Sequence, residues 1–277
     1  MSTVSVIIPT KNRSAMLRRA VKSVLRQTYS DWDIIIVDDA SDDDTPGMVN
    51  YMLGRYGLQG RLKYIRHEKP LGGAAARNKG IFSARGFYIA FLDDDDKWMP
   101  EKLEKQVGCM KANENAGICY TGRKIVRTGD IIPGLGKKYS YRKPPAFDHY
   151  KAIMTDNFVG ITSSVMIPRS VLLAVSGFDE VLPCYQDYDL FIRILERWKA
   201  VGIDEPLVLY YLEKSTQHVS LSRSKIEFAN SYLLGKYSES HYIKLLKRSL
   251  FMIHLKKMLK SFSYAGEVAV WKIKKGR

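Results

Sequence analysis

A run of four β-branched residues, Ile34-Ile35-Ile36-Val37, follows Asp33 and leaves no polar face for water. A strand of this composition is typical of the centre of a parallel sheet that helices cover on both sides. Similar short apolar runs, separated by helical patterns, predict further strands of the same sheet. The predicted strands are 4–8, 33–37, 62–65 and 87–92, and the predicted helices are about 15–26, with Ser14 as N-cap, 45–56, 74–84 and 100–112. The chain is therefore expected to have an α/β fold with an open, mostly parallel sheet and helices on both faces.

The second half of the chain has a weaker pattern. Its predicted elements are strands at 163–167 and 207–212, a helix at 190–198, and a long exposed loop or weak hairpin at 129–145. Beyond about residue 215 the sequence becomes helix-rich and basic. A length of 277 residues suits one large domain or two small ones. We place a boundary near residue 220, which separates a domain at 1–220, with halves at about 1–120 and 121–220, from a helical basic C-terminal extension at 221–277.

The net charge of +15 is concentrated at the C-terminal end. Residues 244–277 contain ten Lys or Arg and one acid, and they carry nine of the fifteen charges. An apolar stripe at helical spacing faces away from a set of lysines; the stripe is Phe251, Leu255, Met258 and Phe262, and the lysines are Lys256, Lys257 and Lys260. A basic amphipathic helix suits an anionic membrane surface, with Trp271 as an interfacial anchor. The pattern also fits a helix that packs on the core with a solvated basic face.

Composition excludes several classes of protein. Three scattered cysteines are too few for a disulfide scaffold or a cysteine-based zinc site, and they indicate a reducing compartment. The sequence has no apolar run of 18 residues, as a membrane-spanning helix would need, and its first residues lack the pattern of a signal peptide. A cytoplasmic location, peripheral on the inner face of the cell membrane, is expected. A nucleic-acid partner is not expected, because no nucleic-acid-binding motif accompanies the basic segment.

Polar or glycine-rich motifs follow each of the first four predicted strands. They are 9–13, Asp38-Asp39, 71–78, which contains Gly72-Gly73 and Arg77, and Asp93-Asp94-Asp95-Asp96. Ligands of open α/β sheets bind at the carboxyl ends of the strands, so these motifs predict one binding site. The glycine pair has neither the Gly-x-Gly-x-x-Gly spacing nor a following Gly-Lys-Ser/Thr, which disfavours a dinucleotide-binding dehydrogenase and a P-loop enzyme.

Four consecutive aspartates directly after an apolar strand repel one another unless a cation or water screens them. Oxygen ligands suit a hard cation such as Mg²⁺ or Mn²⁺, which completes its coordination shell with substrate phosphates and water. An acidic loop that only caps the next helix is the simpler interpretation, but the neighbouring motifs favour the metal.

These motifs, in this order, resemble those of the family 2 inverting nucleotide-sugar glycosyltransferases, which have the A-type glycosyltransferase fold. The resemblance covers about residues 3–215. It implies a glycosyltransferase catalytic domain at 1–220 with a nucleotide-binding half at about 1–120, called the donor half below, and an acceptor-binding half at about 121–220, called the acceptor half. The matching segments are 4–13, 37–45, 72–80, 91–103, Gly177-Phe178-Asp179-Glu180 and 186–193. It implies a hexosyl- or N-acetylhexosaminyltransferase that moves one sugar from a nucleotide-diphosphate donor, with UDP-sugars favoured, to a saccharide or lipid-linked saccharide acceptor in cell-surface polysaccharide synthesis.

The resemblance also implies roles for individual residues. Asp39 should contact the base, Asp93 the ribose, and Asp95 the Mn²⁺ or Mg²⁺ on the diphosphate, with Asp94 sharing either duty. Asp187 should be the general base on the acceptor hydroxyl. The remaining nucleotide-binding residues are Pro9, Thr10, Asn12, Arg13, Gly72 and Arg77, and His218 should lie in a loop that closes on the diphosphate. One departure is Gln186, where the family usually has Glu; the loss of a like charge should make Asp187 less basic.

Direct displacement at the anomeric carbon inverts its configuration, and a positioned carboxylate lowers the barrier by removing the acceptor proton. Two other functions fit the fold. A sugar-nucleotide pyrophosphorylase would need a glycine-rich loop after the first strand, which the sequence lacks. A non-catalytic nucleotide-sugar-binding module should lack the acceptor-side acid, whereas Asp187 is present.

Overall fold

The computed structural model describes residues 2–127, 138–212, 223–253 and 255. Their strands belong to one sheet of nine members. The strands are β1 (Val4–Thr10), β2 (Trp32–Asp38), β3 (Leu62–Arg66), β4 (Tyr88–Phe91), β5 (Lys97–Trp98), β6 (Ala116–Arg127), β7 (Lys138–Ser140), β8 (Val165–Pro168) and β9 (Lys199–Leu212). The sheet order is β3-β2-β1-β4-β8-β6-β9-β5, with β7 beside β6.

Helices cover both faces of this sheet. They are α1 (Ser14–Val24), α2 (Thr45–Tyr56), α3 (Gly73–Ser83), α4 (Lys102–Lys111), α5 (His149–Thr155), α6 (Arg169–Ala174), α7 (Gln186–Leu195), α8 (Arg223–Lys236) and α9 (243–253), with a 3-10 turn at Thr162–Ser164. None of these helices is long and apolar enough to cross a bilayer.

The two halves of the sheet differ in strand direction. β1 pairs in parallel with β2 and β4, and β2 pairs in parallel with β3. β8 is antiparallel to both β4 and β6, while β6 and β9 run parallel over their whole length with register shifts near Gly122. The expected α/β fold is confirmed, and the parallel arrangement holds in its first four strands. Beyond β4 the sheet is mixed, because β8 lies between β4 and β6 and is antiparallel to both.

Alternate residues of the central strands enter two separate apolar clusters. Ile35 and Val37 of β2 pack on the side of α3 and α7, whereas Ile34 and Ile36 pack on the side of α1 and α2. All four are at most 3% exposed. The continuous apolar run therefore reflects burial on both faces, as its composition indicates.

The described part of the C-terminal extension packs on the core beside α7. Ile226 and Leu233 of α8, and Leu246 and Leu250 of α9, are buried in the same cluster as α7. The first two members of the predicted apolar stripe, Phe251 and Leu255, are exposed. Its other members, the three lysines and Trp271 lie outside the described residues.

The expected Ser14 N-cap is wrong. Ser14 is the first residue of α1, and the N-cap residue, Arg13, makes no side-chain capping bond. The Ser14 N–H instead donates to Asp43 Oδ2 at 3.0 Å. A carboxylate from the loop after β2 thus satisfies a backbone N–H at the start of α1.

Candidate active site

A cavity of about 750 Å³ opens at the carboxyl ends of β1, β2 and β4, between α3 and α7. Ten of the residues predicted from the sequence line it, and these are Pro9, Thr10, Arg13, Asp39, Gly72, Arg77, Asp93, Asp94, Asp95 and Asp187. Asn12 is not among the lining residues; it is exposed, and its Oδ1 accepts from the Asp42 N–H at 2.6 Å. His218 lies outside the described residues.

Asp39 holds the loop that precedes α3. Its two carboxylate oxygens accept the N–H groups of Leu71 and Gly72 at 2.7 and 2.8 Å, and His67 Nδ1 lies 2.9 Å from Oδ1. Gly72 can point its N–H at Asp39 because its φ of 95° is a conformation that glycine adopts readily and other residues rarely do. Burial disfavours the charge of Asp39, but these hydrogen bonds more than offset it, and the pKa is lowered. Asp39 is therefore a charged acceptor at neutral pH.

Arg77 forms an ion pair with Asp93 across the cavity wall. Its Nη2 lies 2.6 Å from Asp93 Oδ1, and the Asp93 N–H donates to Ser163 Oγ at 3.0 Å. Burial disfavours the guanidinium charge, but Asp93, Asp187 and Asp94 together raise the Arg77 pKa. The Nε of Arg77 is buried without a hydrogen-bond partner among the described residues. Arg77 is thus a fixed cation among three acids.

Asp94 faces inward toward β1 and α1. Its carboxylate accepts from Thr10 Oγ1 at 2.8 Å and from Arg13 at 3.1 Å. Burial is the main effect on this group and raises the pKa of Asp94 to about 6, although Arg13 opposes the shift. Asp94 therefore ties the carboxyl ends of β1 and β4 together.

Asp96, the last aspartate of the run, is fully buried away from the cavity lining. The Tyr211 N–H donates to its Oδ1 at 3.4 Å, and its Oδ2 has no hydrogen-bond partner among the described residues. Burial, together with the charges of Asp93 and Asp95, raises its pKa well above the ordinary range. The four aspartates of the run therefore lie in different surroundings, and Asp96 is the one that burial most disfavours as a charged group.

Asp93 and Asp95 fit a divalent cation. Their side chains are 28% and 24% exposed at the cavity, and both offer carboxylate oxygens, which hard cations prefer. Arg13 lies 3.2 Å from Asp95 Oδ2. The described residues contain no group of three or more His, Cys, Asp or Glu arranged to hold a metal alone. A cation here would therefore need substrate phosphates and water to complete its shell.

Asp187 lies in the first turn of α7 and lines the same cavity. Its Oδ1 accepts its neighbour's N–H, that of Tyr188, at 2.8 Å. Burial raises the pKa of Asp187, with Asp93 acting in the same direction, and this outweighs the Tyr188 bond and the Arg77 charge. A carboxylate with a raised pKa is a better proton acceptor than an ordinary aspartate.

Gln186 supports the turn before α7. Its Nε2 donates to the Leu182 carbonyl at 2.7 Å. Glutamate, which has no N–H to donate, cannot make this bond. The neutral residue at this position therefore has a structural role, in addition to removing a charge beside Asp187.

Asn78 of α3 anchors the loop at residues 177–180. Its side chain exchanges hydrogen bonds with the backbone of Phe178 at 2.9 and 2.8 Å and donates to Glu180 at 2.7 Å. Gly177, with a φ of 67°, approaches so closely that an added Cβ would lie 2.5 Å from Asn78 Oδ1. This contact fixes the loop that carries Glu180 to the cavity.

Sequence reasoning missed several lining residues, and these are Lys11, Thr162, Glu180, 182–185 and Lys225. Lys225 belongs to α8, in the extension beyond residue 220. Glu180 had a signal, since it closes one of the matched motifs. Lys225 had none, because an exposed lysine on a helix carries no pattern that places it beside a distant cavity.

The fold is the A-type glycosyltransferase fold. A mannosyltransferase from Pyrobaculum calidifontis, solved with GDP-Man and Mn²⁺, superposes with a TM-score of 0.67 at 18% identity, and the match covers 97% of this chain and 74% of that one. At this identity the likeness shows the fold alone.

The family follows from sequence comparison. The family model described as "Glycosyl transferase family 2" matches residues 5–175, and the chain belongs to that family. TuaG of Bacillus subtilis (strain 168), a glycosyltransferase assigned to teichuronic acid biosynthesis, is 40% identical over 242 residues, 87% of this chain and 90% of TuaG. WfgD of Escherichia coli, a UDP-Glc:alpha-D-GlcNAc-diphosphoundecaprenol beta-1,3-glucosyltransferase, is 31% identical over 237 residues, 86% of this chain and 87% of WfgD.

Proposed function

We propose that this enzyme is an inverting glycosyltransferase that transfers one hexose or N-acetylhexosamine from a UDP-sugar to a saccharide or lipid-linked saccharide. The observation that carries the proposal is that Asp187, Asp93 and Asp95 line one cavity, with the charged Arg77 acting on both Asp187 and Asp93. A proton acceptor and acids suited to a cation in the same cavity match the two needs of a displacement reaction.

The acceptor hydroxyl has a high pKa and is a weak nucleophile until its proton is removed. Asp187 accepts this proton at its carboxylate as the new bond forms, and its raised pKa suits that step. The charge of Arg77 opposes this rise in pKa. Attack from this side on the anomeric carbon displaces the nucleoside diphosphate from the other side and inverts the configuration.

Asp95 would hold Mg²⁺ or Mn²⁺ at the diphosphate, and Asp93 beside it would contact the ribose. When bound, such a cation stabilises the negative charge that develops on the leaving group. Arg13 and Arg77 contribute positive charge on either side of the same carboxylates. Asp39, Pro9 and Thr10 would contact the nucleoside from the ends of β1 and β2.

The choice of substrates is supported by the relatives. WfgD uses a UDP-sugar and an acceptor linked to diphosphoundecaprenol, and TuaG is assigned to a cell-surface polymer. We therefore place this enzyme in cell-surface polysaccharide synthesis. A screen of nucleotide sugars by thermal shift, with and without Mn²⁺, tests the donor. A ligand that binds only the folded state raises the melting temperature, so a UDP-sugar should stabilise the protein most and a GDP-sugar least.

We also propose a cytoplasmic location, peripheral at the membrane, through the basic residues beyond 255. Because Leu246 and Leu250 are buried, a truncation must retain α9 to keep the core intact. Removal of residues 256–277 should reduce binding to phosphatidylglycerol vesicles in low salt, and phosphatidylcholine vesicles serve as the control. Equal binding of the truncated and full-length chains to the anionic vesicles would overturn this assignment.

A further inference from the structure

A second groove of about 310 Å³ lies beside α1 and β5, and none of the residues that line it lines the catalytic cavity. Five basic side chains line it, and these are Arg18, Arg19, Lys22, Arg26 and Lys97. Its lining contains no acid. Three of the five, Arg18, Arg19 and Lys22, belong to α1, and Arg26 lies just beyond its end. Lys97 reaches the same groove from β5. This cluster is called the basic groove below.

The cations of the basic groove lack partners of opposite charge. None of the five forms an ion pair with another residue in the described parts of the chain. Like charges at positions i and i+4, such as Arg18 with Lys22, destabilise a helix. The arrangement therefore keeps a local excess of positive charge that an anion would neutralise.

Arg19 is held in place at the floor of the groove. Its guanidinium lies 4.0 Å from the centre of the Tyr211 ring, and Nη2 donates to the Asp95 carbonyl at 2.5 Å. Its Nε is buried without a hydrogen-bond partner among the described residues. A guanidinium fixed in this way keeps its charge in place for a phosphate oxygen.

We propose that the basic groove binds a phosphate or diphosphate group at a site separate from the catalytic cavity. Several convergent arginines favour phosphate over a single carboxylate, because phosphate carries more charge and accepts more hydrogen bonds. The groove is open and shallow enough for a phosphate that is part of a larger molecule. Its ligand is either a soluble phosphate compound or a lipid headgroup, and the chemistry of recognition is the same for both.

The test uses the full chain and inorganic pyrophosphate in metal-free buffer, measured by isothermal titration calorimetry. The groove variant Arg18→Gln/Lys22→Gln/Arg26→Gln is compared with Arg55→Gln/Lys63→Gln/Lys111→Gln, a control that removes the same charge from exposed positions elsewhere. The groove variant should lose one binding event per chain, or bind at least tenfold more weakly, while the control matches wild type. Lys97→Gln, which leaves α1 unchanged, should weaken binding in the same direction.

Equal binding by the groove variant and the control, whether both match wild type or both fall, would overturn the proposal. Circular dichroism melts confirm that each variant is folded. Flotation with phosphatidylglycerol vesicles then identifies the source of the phosphate. A loss of flotation confined to the groove variant assigns the site to a lipid headgroup, and unchanged flotation together with lost pyrophosphate binding assigns it to a soluble phosphate compound.

Discussion

Asp39 and Asp187 line the same cavity from different halves of the molecule, and their surroundings are opposite. Asp39, after β2, accepts two backbone N–H groups from another segment and lies beside His67, and its pKa is lowered. Asp187, in α7, is held by the N–H of its own neighbour, and burial raises its pKa. The donor half thus fixes a permanent charge, whereas the acceptor half keeps a carboxylate that can take up a proton.

In the proposed mechanism, this difference assigns nucleotide binding and proton transfer to different carboxylates of one cavity. A carboxylate that must stay ionised is stabilised by several donors, and a carboxylate that must accept a proton is left with few. Arg77 lies between the two halves and limits how far the Asp187 pKa rises. The predictions below test this division of roles.

Replacement of Asp187 should have the largest effect. Asp187→Asn keeps the shape of the side chain but removes the proton acceptor, so transfer should fall roughly 10²- to 10⁴-fold. Donor affinity should stay within about twofold of wild type, since the lost interaction is made only during reaction. Transfer rates and calorimetric titration with the donor measure the two quantities.

Asp42→Asn is the matched control for this experiment, because Asp42 is exposed and does not line the cavity. It should leave both quantities unchanged. A loss of donor binding in Asp187→Asn as large as the loss of transfer would make Asp187 a binding or structural residue and would remove the contrast with Asp39.

Replacement of Asp95 should have the next largest effect. Asp95→Ala removes an oxygen ligand that the proposed cation needs, and the rate should fall about a hundredfold. The concentration of Mn²⁺ needed for half-maximal activity should rise. Activity with an unchanged dependence on Mn²⁺ would show that the acids after β4 serve only to tie β1 and β4 together.

Much of the donor half could be predicted from the sequence. The apolar runs of β1 to β4 and the motifs after them are local signals, and the acids there lie at the expected end of the sheet. Strand β6 was missed. Its sequence contains Gly117 and Gly122, and its long partner β9 begins more than 70 residues later, so its pairing leaves no local pattern.

The electrostatic character of the site was harder to predict than its position. The position of Asp187 in the cavity was expected, but its raised pKa depends on burial by segments far apart in the chain. The raised pKa of Asp96 also depends on burial. The hydrogen bond from Gln186 to the Leu182 carbonyl could not be read from the sequence either, because it depends on the turn before α7.

Replacement of Asp39 should reduce stability more than chemistry. Asp39→Asn leaves one oxygen for two backbone N–H groups, and an unsatisfied N–H costs about 1–3 kcal/mol of unfolding free energy. Because the folded-state pKa of Asp39 is lowered, its charge contributes stability above the unfolded pKa, and this contribution is lost as the pH falls through the folded pKa. The free energy of unfolding, measured in urea, should therefore be lower for Asp39→Asn than for wild type at pH 7. This difference should become smaller at acid pH. A difference independent of pH would contradict the charged state assigned to Asp39.

The pH dependence of transfer should report Asp187 directly. Only the ionised carboxylate accepts a proton, so kcat/KM should fall on the acid side by about tenfold per pH unit. The midpoint should lie above the ordinary range of an aspartate, because the pKa of Asp187 is raised. Donor binding measured over the same range separates this effect from titration of the donor. A midpoint at or below the ordinary aspartate range would contradict the effect of burial.

Gln186→Glu should produce the smallest effect and the sharpest test of the acceptor half. The new carboxylate places a like charge beside Asp187 and should raise the pKa of Asp187 further. The acid limb of the pH profile of kcat/KM should then move to higher pH by up to about one unit. Rates well above the midpoint should change little. Gln186→Leu is the control, since it also removes the bond to the Leu182 carbonyl but adds no charge. If both variants shift the limb equally, the position of α7 sets the basicity of Asp187, and the neighbouring charge does not.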